Sequence, residues 1–213
     1  MKLILFGASG RTGSHIARLA ASRGHAVTAI VRPETSYTPP AGVQVVKGDV
    51  LDPEFVARAV PGHDVVVSAL GIRYTHPWAR RHSPDDFISR ATANMVRAMT
   101  RGGVRRIAVI SAAGVADSRP ALNVMMRILL ATSNVGVAYA DLERVEDILR
   151  PSGLDWMAVR PTTLTNRTPG APARITDRFT ATASIPREAV AAYIVSELEK
   201  PEFSRRTPLI TGG

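Results

Sequence analysis

Residues 7 to 13 of the chain read Gly-Ala-Ser-Gly-Arg-Thr-Gly, three glycines at steps of three, directly after the apolar run 3–6. Glycine has no Cβ, so Gly7 permits a tight turn, Gly10 lets backbone approach an anion, and Gly13 lets a following helix pack close to the strand. Amides of the first helical turn then face that anion, aided by the helix dipole. A G-x-x-G-x-x-G run after an apolar strand therefore predicts a seat for the diphosphate of a dinucleotide, lined by Gly7, Ser9, Gly10, Arg11, Thr12 and Gly13. By itself such a triplet marks only a strand–helix turn. Its setting at the head of a β–α alternation favours the dinucleotide.

The next candidate separates NADP(H) from NAD(H). NAD binders place an acid about 20 residues beyond the loop, on the ribose 2′-hydroxyl. Here the segment reads "AVTAIVRP", with Arg32 in the acid's place and Glu34 beyond Pro33. A guanidinium there suits a 2′-phosphate, and Arg11 is a second candidate for it. Both also fit as plain surface arginines. Asp49, in "VVKGDV", fits either an adenine amino group or a turn aspartate after Gly48. "SALG" (68–71) is small enough for a ribose to lie against it.

The elements that must position these residues follow from pattern and punctuation. Strands are predicted at 2–6, 26–31, 43–47, 63–69, 105–110, 154–159 and 206–211, and helices near 12–23, 53–60, 84–101, 120–130, 133–150 and 187–200. "DPEF" supplies Asp52 as N-cap with proline at the first helical position, and "SPDD" predicts the same role for Ser83. Gly24 and Gly102-Gly103 stand where helices should end. "DVVVSAL" and "RIAVI" are apolar on both faces, as a covered parallel sheet requires. The expected fold is α/β, a Rossmann-type doubly wound parallel sheet flanked by helices, with residues 1–213 as a single domain. The longest irregular stretch, 165–179, is of a length usually functional.

Bulk properties exclude several classes. The 213 residues contain no cysteine, so there is no disulfide, thiolate metal site or cysteine nucleophile. The net charge of +9 invites nucleic acid as a partner, but the arginines are scattered without a basic block or aromatic interleaving. No apolar segment is long enough for a membrane, and "MKLILF" is too short for a signal core, so a cytoplasmic protein is expected.

Taken together, "FGASGRTG", "VR" (31–32), "GDV" (48–50), "LG" with Arg73 two residues on, "GGVRRIAVISA", "LRPSGLDWMAVRP" and "PLITGG" resemble the atypical short-chain dehydrogenases, in their NAD(P)H-binding, NmrA-like branch, and there the biliverdin reductase B (flavin reductase) group. The resemblance runs in order along nearly the whole chain. It implies that loop 7–13, Arg32, Asp49, Val50, Leu70, Gly71, Arg73, Ser111, Pro161, Thr162, Thr163 and Leu164 line NADP(H). Two departures concern the substrate. The loop after Leu70-Gly71 is longer here, and Thr163 stands where that group has a histidine.

The wider family reduces or oxidises its substrate with a serine and a Tyr-x-x-x-Lys pair, the lysine lowering the tyrosine pKa. The only lysines here are Lys2, Lys47 and Lys200, and Glu143 stands four residues after Tyr139. Ser111, at the predicted end of the fifth strand, is the remaining catalytic candidate, fitting equally a plain strand-end serine. An NADPH-dependent reductase of a planar small-molecule acceptor such as a flavin or quinone escapes the difficulty, because hydride arrives at flavin N5 and solvent supplies the proton. The competing expectation is a non-catalytic NADP(H)-binding redox sensor, which an open pocket beside the nicotinamide would argue against. A nucleotide-sugar epimerase would need the missing lysine.

Three further stretches admit two readings each. Tyr74, His76, Trp78 and His82 form either an aromatic lid over a planar substrate or a surface loop, and the two histidines make a poor metal site. Met125, Met126, Leu129 and Leu130 are expected in the core or a substrate wall, less so on a partner surface. Tyr139 is expected to pack at a helix start, its other reading being an acid.

Overall fold

The computed structural model describes residues 1–72, 76–79, 83–180, 182–203 and 206–212. Its elements, in order, are β1 (Lys2–Phe6), α1 (Arg11–Ser22), β2 (Ala26–Val31), β3 (Val43–Lys47), α2 (Pro53–Ala59), β4 (Val65–Ser68), α3 (Phe87–Gly102), β5 (Arg106–Ile110), a 3-10 turn (Ala116–Ala121), α4 (Val124–Thr132), α5 (Asn134–Leu149), β6 (Asp155–Pro161), β7 (Thr163–Thr165), β8 (Arg174–Ile175), β9 (Ser184–Pro186), α6 (Arg187–Leu198) and β10 (Leu209–Thr211). The main sheet has the order β3-β2-β1-β4-β5-β6-β10-β8. Every pairing in it is parallel except β10 with β8. The expected doubly wound sheet is therefore present, and its strand order reverses between β1 and β4.

Alternate side chains of each strand feed two separate cores, as a pleat with period two dictates. On one face Leu3, Leu5, Val27, Ala29, Val65, Val67 and Met157 meet Ile16, Ala17 and Ala20 of α1 and Val190 and Ile194 of α6. On the other, Ile4, Phe6, Ile30, Val66, Ile107 and Val109 meet Val56 of α2, Met95 and Met99 of α3, and Leu142 and Leu149 of α5. Burial on both faces explains why β1 and β4 carry no polar alternation.

The punctuation holds at most ends. Asp52 Oδ1 accepts from the Glu54 amide at 2.9 Å, and Pro53 opens α2. Gly103 closes α3 in the left-handed region at φ 71°.

The expected start of α3 is not found. The helix expected at 84–101 begins at Phe87, and Ser83 does not cap it; Asp86 is the N-cap residue and makes no side-chain cap. The acceptor comes from another element. Asp141 of α5, fully buried, accepts from the Ile88 amide at 2.7 Å and from the Ser89 amide and hydroxyl. Buried helix-end amides need an acceptor, and a carboxylate there also meets the positive end of the dipole. Asp141→Ala is expected to cost about 1–3 kcal/mol, read by urea unfolding; a loss below about 0.5 kcal/mol would contradict the role. An element that no expectation covered is the two-stranded parallel pairing of β7 with β9, which joins Thr163 to Ser184 and Thr165 to Pro186. Three-residue strands flanked by proline leave no periodic signal.

Candidate functional site

The turn after β1 is built as the glycines demand. Gly7 has φ 84°, a region that disfavours any side chain, and an added Cβ would also lie 2.7 Å from the Ala69 carbonyl oxygen at the end of β4. At Gly13 a Cβ would lie 2.1 Å from the Gly7 carbonyl oxygen, so helix α1 starts in backbone contact with the loop. Gly10 is the N-cap of α1. No side chain caps this end, and no acid sits in the first turn. These are the conditions under which helix-start amides receive an external anion.

That turn borders a cavity of about 310 Å³ at the carboxyl ends of β1, β2 and β4, where the strand order reverses. Doubly wound sheets bind ligands at such a switch point. Gly7, Ser9, Gly10, Arg32, Val50, Leu70 and Gly71 line it, and so do Ser83 and Phe87. Ser83 thus faces the crevice instead of capping α3. Arg32 is exposed at the rim, with Nε 3.3 Å from Glu34 Oε1. Val50 is anchored from behind: Asn94 of α3, buried, donates through Nδ2 to its carbonyl oxygen at 3.0 Å. Nothing in the local sequence marks Asn94, whose partner lies 44 residues away.

Asp49 takes its turn placement, and Arg11 lies apart from Arg32. Asp49 Oδ1 accepts from the Leu51 amide at 2.9 Å, the turn reading, and Gly48 and Val50, not Asp49, form the cavity wall. Arg11 does not share a cavity with Arg32. It lines a different one, with Ser14, His15, Thr165, Asn166 and Arg187. Its amide opens α1.

A second crevice cavity, about 320 Å³, lies at the carboxyl ends of β5 and β6. Ser111, Pro161, Thr162, Thr163 and Leu164 all line it, so these residues, expected to line NADP(H), come together. Leu122, Met126, Val135, Tyr139 and Phe179 supply apolar walls, and Arg187 supplies a charge. Tyr139 donates its hydroxyl to the Ala113 carbonyl oxygen at 3.1 Å, consistent with packing. Glu143 lies 3.7 Å from Arg119.

Beneath Ser111 lies a network that sequence reasoning missed. Ser111 Oγ donates to Glu146 Oε1 at 2.9 Å. Arg160 clamps the same carboxylate through Nε at 3.0 Å and Nη2 at 2.6 Å, and Nη2 also reaches Asp117 Oδ1 at 2.6 Å. Glu146 is fully buried and Arg160 nearly so. Burial by itself would lower the Arg160 pKa, but the bonds to Glu146 and Asp117 carry it above its ordinary value. The bond from Arg160 holds Asp117 below the usual carboxylate range. Stability from that contact is therefore present above the ordinary aspartate pKa and is lost as pH falls through the lowered one.

The remaining calls resolve as follows. Residues 76–79 of the long loop rest on the α4–α5 junction: Trp78 Nε1 donates to the Thr132 carbonyl at 2.9 Å, and the Asn134 amide donates to the Pro77 carbonyl at 2.8 Å. Neither crevice cavity has them in its wall. They follow the surface reading. Arg73, Tyr74 and His82 lie outside the described residues. Met126 lines the second cavity and Leu130 is buried, but Met125 is 81% exposed, contrary to its expected burial. It lies on the outer side of α4 with Val124 and Ile128. Among the described residues no helix is long and apolar enough to cross a membrane.

The sheet order, the glycine turn and the crevice across the switch point define a dinucleotide-binding protein. The chain belongs to the NAD(P)H-binding family, which it matches over residues 7–201. An uncharacterized chloroplastic protein of Arabidopsis thaliana is 29% identical over 216 residues, covering 95% of this chain and 74% of that protein. Two solved structures share the fold. One is ChuY, an anaerobillin reductase from Escherichia coli O157:H7, with TM-score 0.78 and 22% identity over 99% of this chain and 96% of that one. The other is a short-chain dehydrogenase/reductase of Veillonella parvula in complex with NADP, with TM-score 0.77 and 19% identity over 98% and 93%.

Proposed function

We propose that residues 1–213 act as one unit that reduces a planar small-molecule acceptor, such as a flavin or quinone, with NADPH. The observation that carries this reading is the second cavity: a space of about 320 Å³ with apolar walls from Leu122, Met126, Val135 and Phe179, lined also by Ser111 and Pro161–Leu164 at the strand ends beyond the glycine loop. Those apolar walls run on past Ser111 and Pro161–Leu164, which supports room for an acceptor beside the nicotinamide, and a protein that only sensed NADP(H) would need no such extension.

In this reading the amides opening α1 hold the diphosphate, Arg32 meets the 2′-phosphate, and Val50, Leu70 and Gly71 flank the adenosine side. Gly7 and Gly13 shape the turn, with Ser9 and Thr12 beside it. When bound, NADPH supplies the hydride. The chain's own contribution is alignment and exclusion of water. Ser111 has its proton directed to Glu146, so its oxygen offers lone pairs to a donor in the cavity, either an amide of the nicotinamide or an N–H of the acceptor. Its orientation is fixed by a carboxylate that Arg160 holds in turn. Thr162 and Thr163 provide further polar contacts, and Pro161 and Leu164 complete the wall. No strong protein acid is required, because the proton that completes reduction of such an acceptor comes from solvent.

The test is NADPH oxidation with menadione or FMN as acceptor. Acceptor-dependent consumption of NADPH, faster than that of NADH, is the expected result. Tight NADP(H) binding with no turnover of any acceptor would replace this reading with the sensor.

A further inference from the structure

We propose that the acceptor carries an anionic group, a phosphate or carboxylate attached to its ring system, and that Arg187 is the residue that recognises it, with Arg11 as a second cation behind. The proposal rests on the reductase reading above and narrows its substrate class.

Arg187 occupies a junction. It lines the second crevice cavity, with Ser111, Leu164 and Phe179, and also the adjoining cavity of about 390 Å³ whose walls include Arg11, His15, Asn166 and Arg167. The position follows from strand register. Parallel pairing of β7 with β9 sets Thr165 beside Pro186, so the next residues, Asn166 and Arg187, stand side by side. Arg187 Nη1 donates to Asn166 Oδ1 at 2.7 Å, which fixes the guanidinium and leaves its other donors for a ligand. Packing of α6 on α1 brings Arg11 to the same cavity.

The charge is not neutralised from within. Among the described residues no carboxylate pairs with Arg187, Arg11 or Arg167. Glu188, which borders the same cavity, is taken by Arg18 at 2.5 Å. Burial and the neighbouring Arg11 charge both lower the Arg187 pKa, the direction expected of cations held together without an anion. Guanidiniums concentrated at a cavity mouth with free fork donors suit phosphate or carboxylate. The crevice location selects the source. Arg187 borders the acceptor side, whereas the cavity holding Gly7, Gly10 and Arg32 does not include it.

FMN and riboflavin share one ring and differ by a phosphate, so they isolate the anion. Their dissociation constants are measured by flavin-fluorescence titration of the NADP⁺-saturated full chain, wild type and Arg187→Gln. The glutamine keeps a donor for Asn166 at an intermediate-exposure helix start, and circular dichroism checks the fold. Expected is FMN binding at least about tenfold tighter than riboflavin in the wild type, a preference that falls to about twofold or less in Arg187→Gln and weakens with added salt. Equal affinity for both flavins in the wild type, or no FMN binding, overturns the proposal, as does a preference that survives the substitution. A loss of NADP⁺ affinity as large as the loss of FMN affinity also overturns it, since the anion would then be the dinucleotide's diphosphate. Failure is distinguishable from failure of the reductase reading. NADPH oxidation by uncharged menadione without FMN preference leaves that reading standing, whereas FMN preference without turnover of any acceptor removes it alone.

Discussion

Replacing Glu146 by alanine is expected to destabilise the fold by about 3–5 kcal/mol, the usual cost of removing one partner of a buried ion pair. Arg160 is 2% exposed and donates two bonds to that carboxylate. Without it, the guanidinium keeps only Asp117, whose side chain is 77% exposed, and Ser111 loses the acceptor of its hydroxyl. Against a total stability of about 5–15 kcal/mol the loss is severe, and it should lower Tm by roughly 10 °C. Glu146→Gln keeps an acceptor oxygen while deleting the charge, so a smaller loss is expected. Replacing both partners, as Glu146→Leu with Arg160→Met, should recover much of the difference, because no buried charge is then left uncompensated. Urea unfolding of the three variants measures the order. A Glu146→Ala protein within 1 kcal/mol of wild type would refute the buried pair.

The second large effect concerns coenzyme choice. Arg32→Asp should weaken NADPH binding roughly 100-fold or more, through loss of a charge-assisted contact and repulsion of the 2′-phosphate. NADH, which lacks that phosphate, should change by no more than about threefold, and added salt should shrink the difference. The existing pairing of Arg32 with Glu34 is exposed and worth little, so its loss should leave stability nearly unchanged. Equal weakening of both coenzymes, measured by fluorescence titration of the reduced nicotinamide, would remove Arg32 from the phosphate. Arg11→Gln should leave the NADPH-to-NADH ratio in place, because its side chain lines the cavity on the other side of the loop.

These residues differ in how visible they were beforehand. Local chemistry was legible. The glycine spacing, the Asp52-Pro53 helix start and the apolar strands each follow from backbone sterics or a short periodicity, properties of neighbouring residues alone. They located the turn after β1, the parallel sheet and the crevice that Arg32 and Ser111 face. Where a segment's partner lies far along the chain, the sequence was silent or misleading. "SPDD" carries every local mark of a helix cap, yet α3 begins three residues after Pro84, because the buried Asp141 of α5 supplies a better-placed acceptor than Ser83.

What the amino-acid order alone determined is the doubly wound class, the diphosphate turn and the position of a cation where a dinucleotide-binding protein places its ribose contact. Tertiary structure decided the rest: that Glu146 and Arg160 meet under Ser111, that Arg11 and Arg32 line different cavities, and that the pairing of two three-residue strands sets Arg187 in the wall of the second cavity. The physical reason is range. Turn and strand preferences act over a few residues, whereas these contacts depend on which helices pack together and in what register the strands pair, and both are settled by burial across the whole sheet.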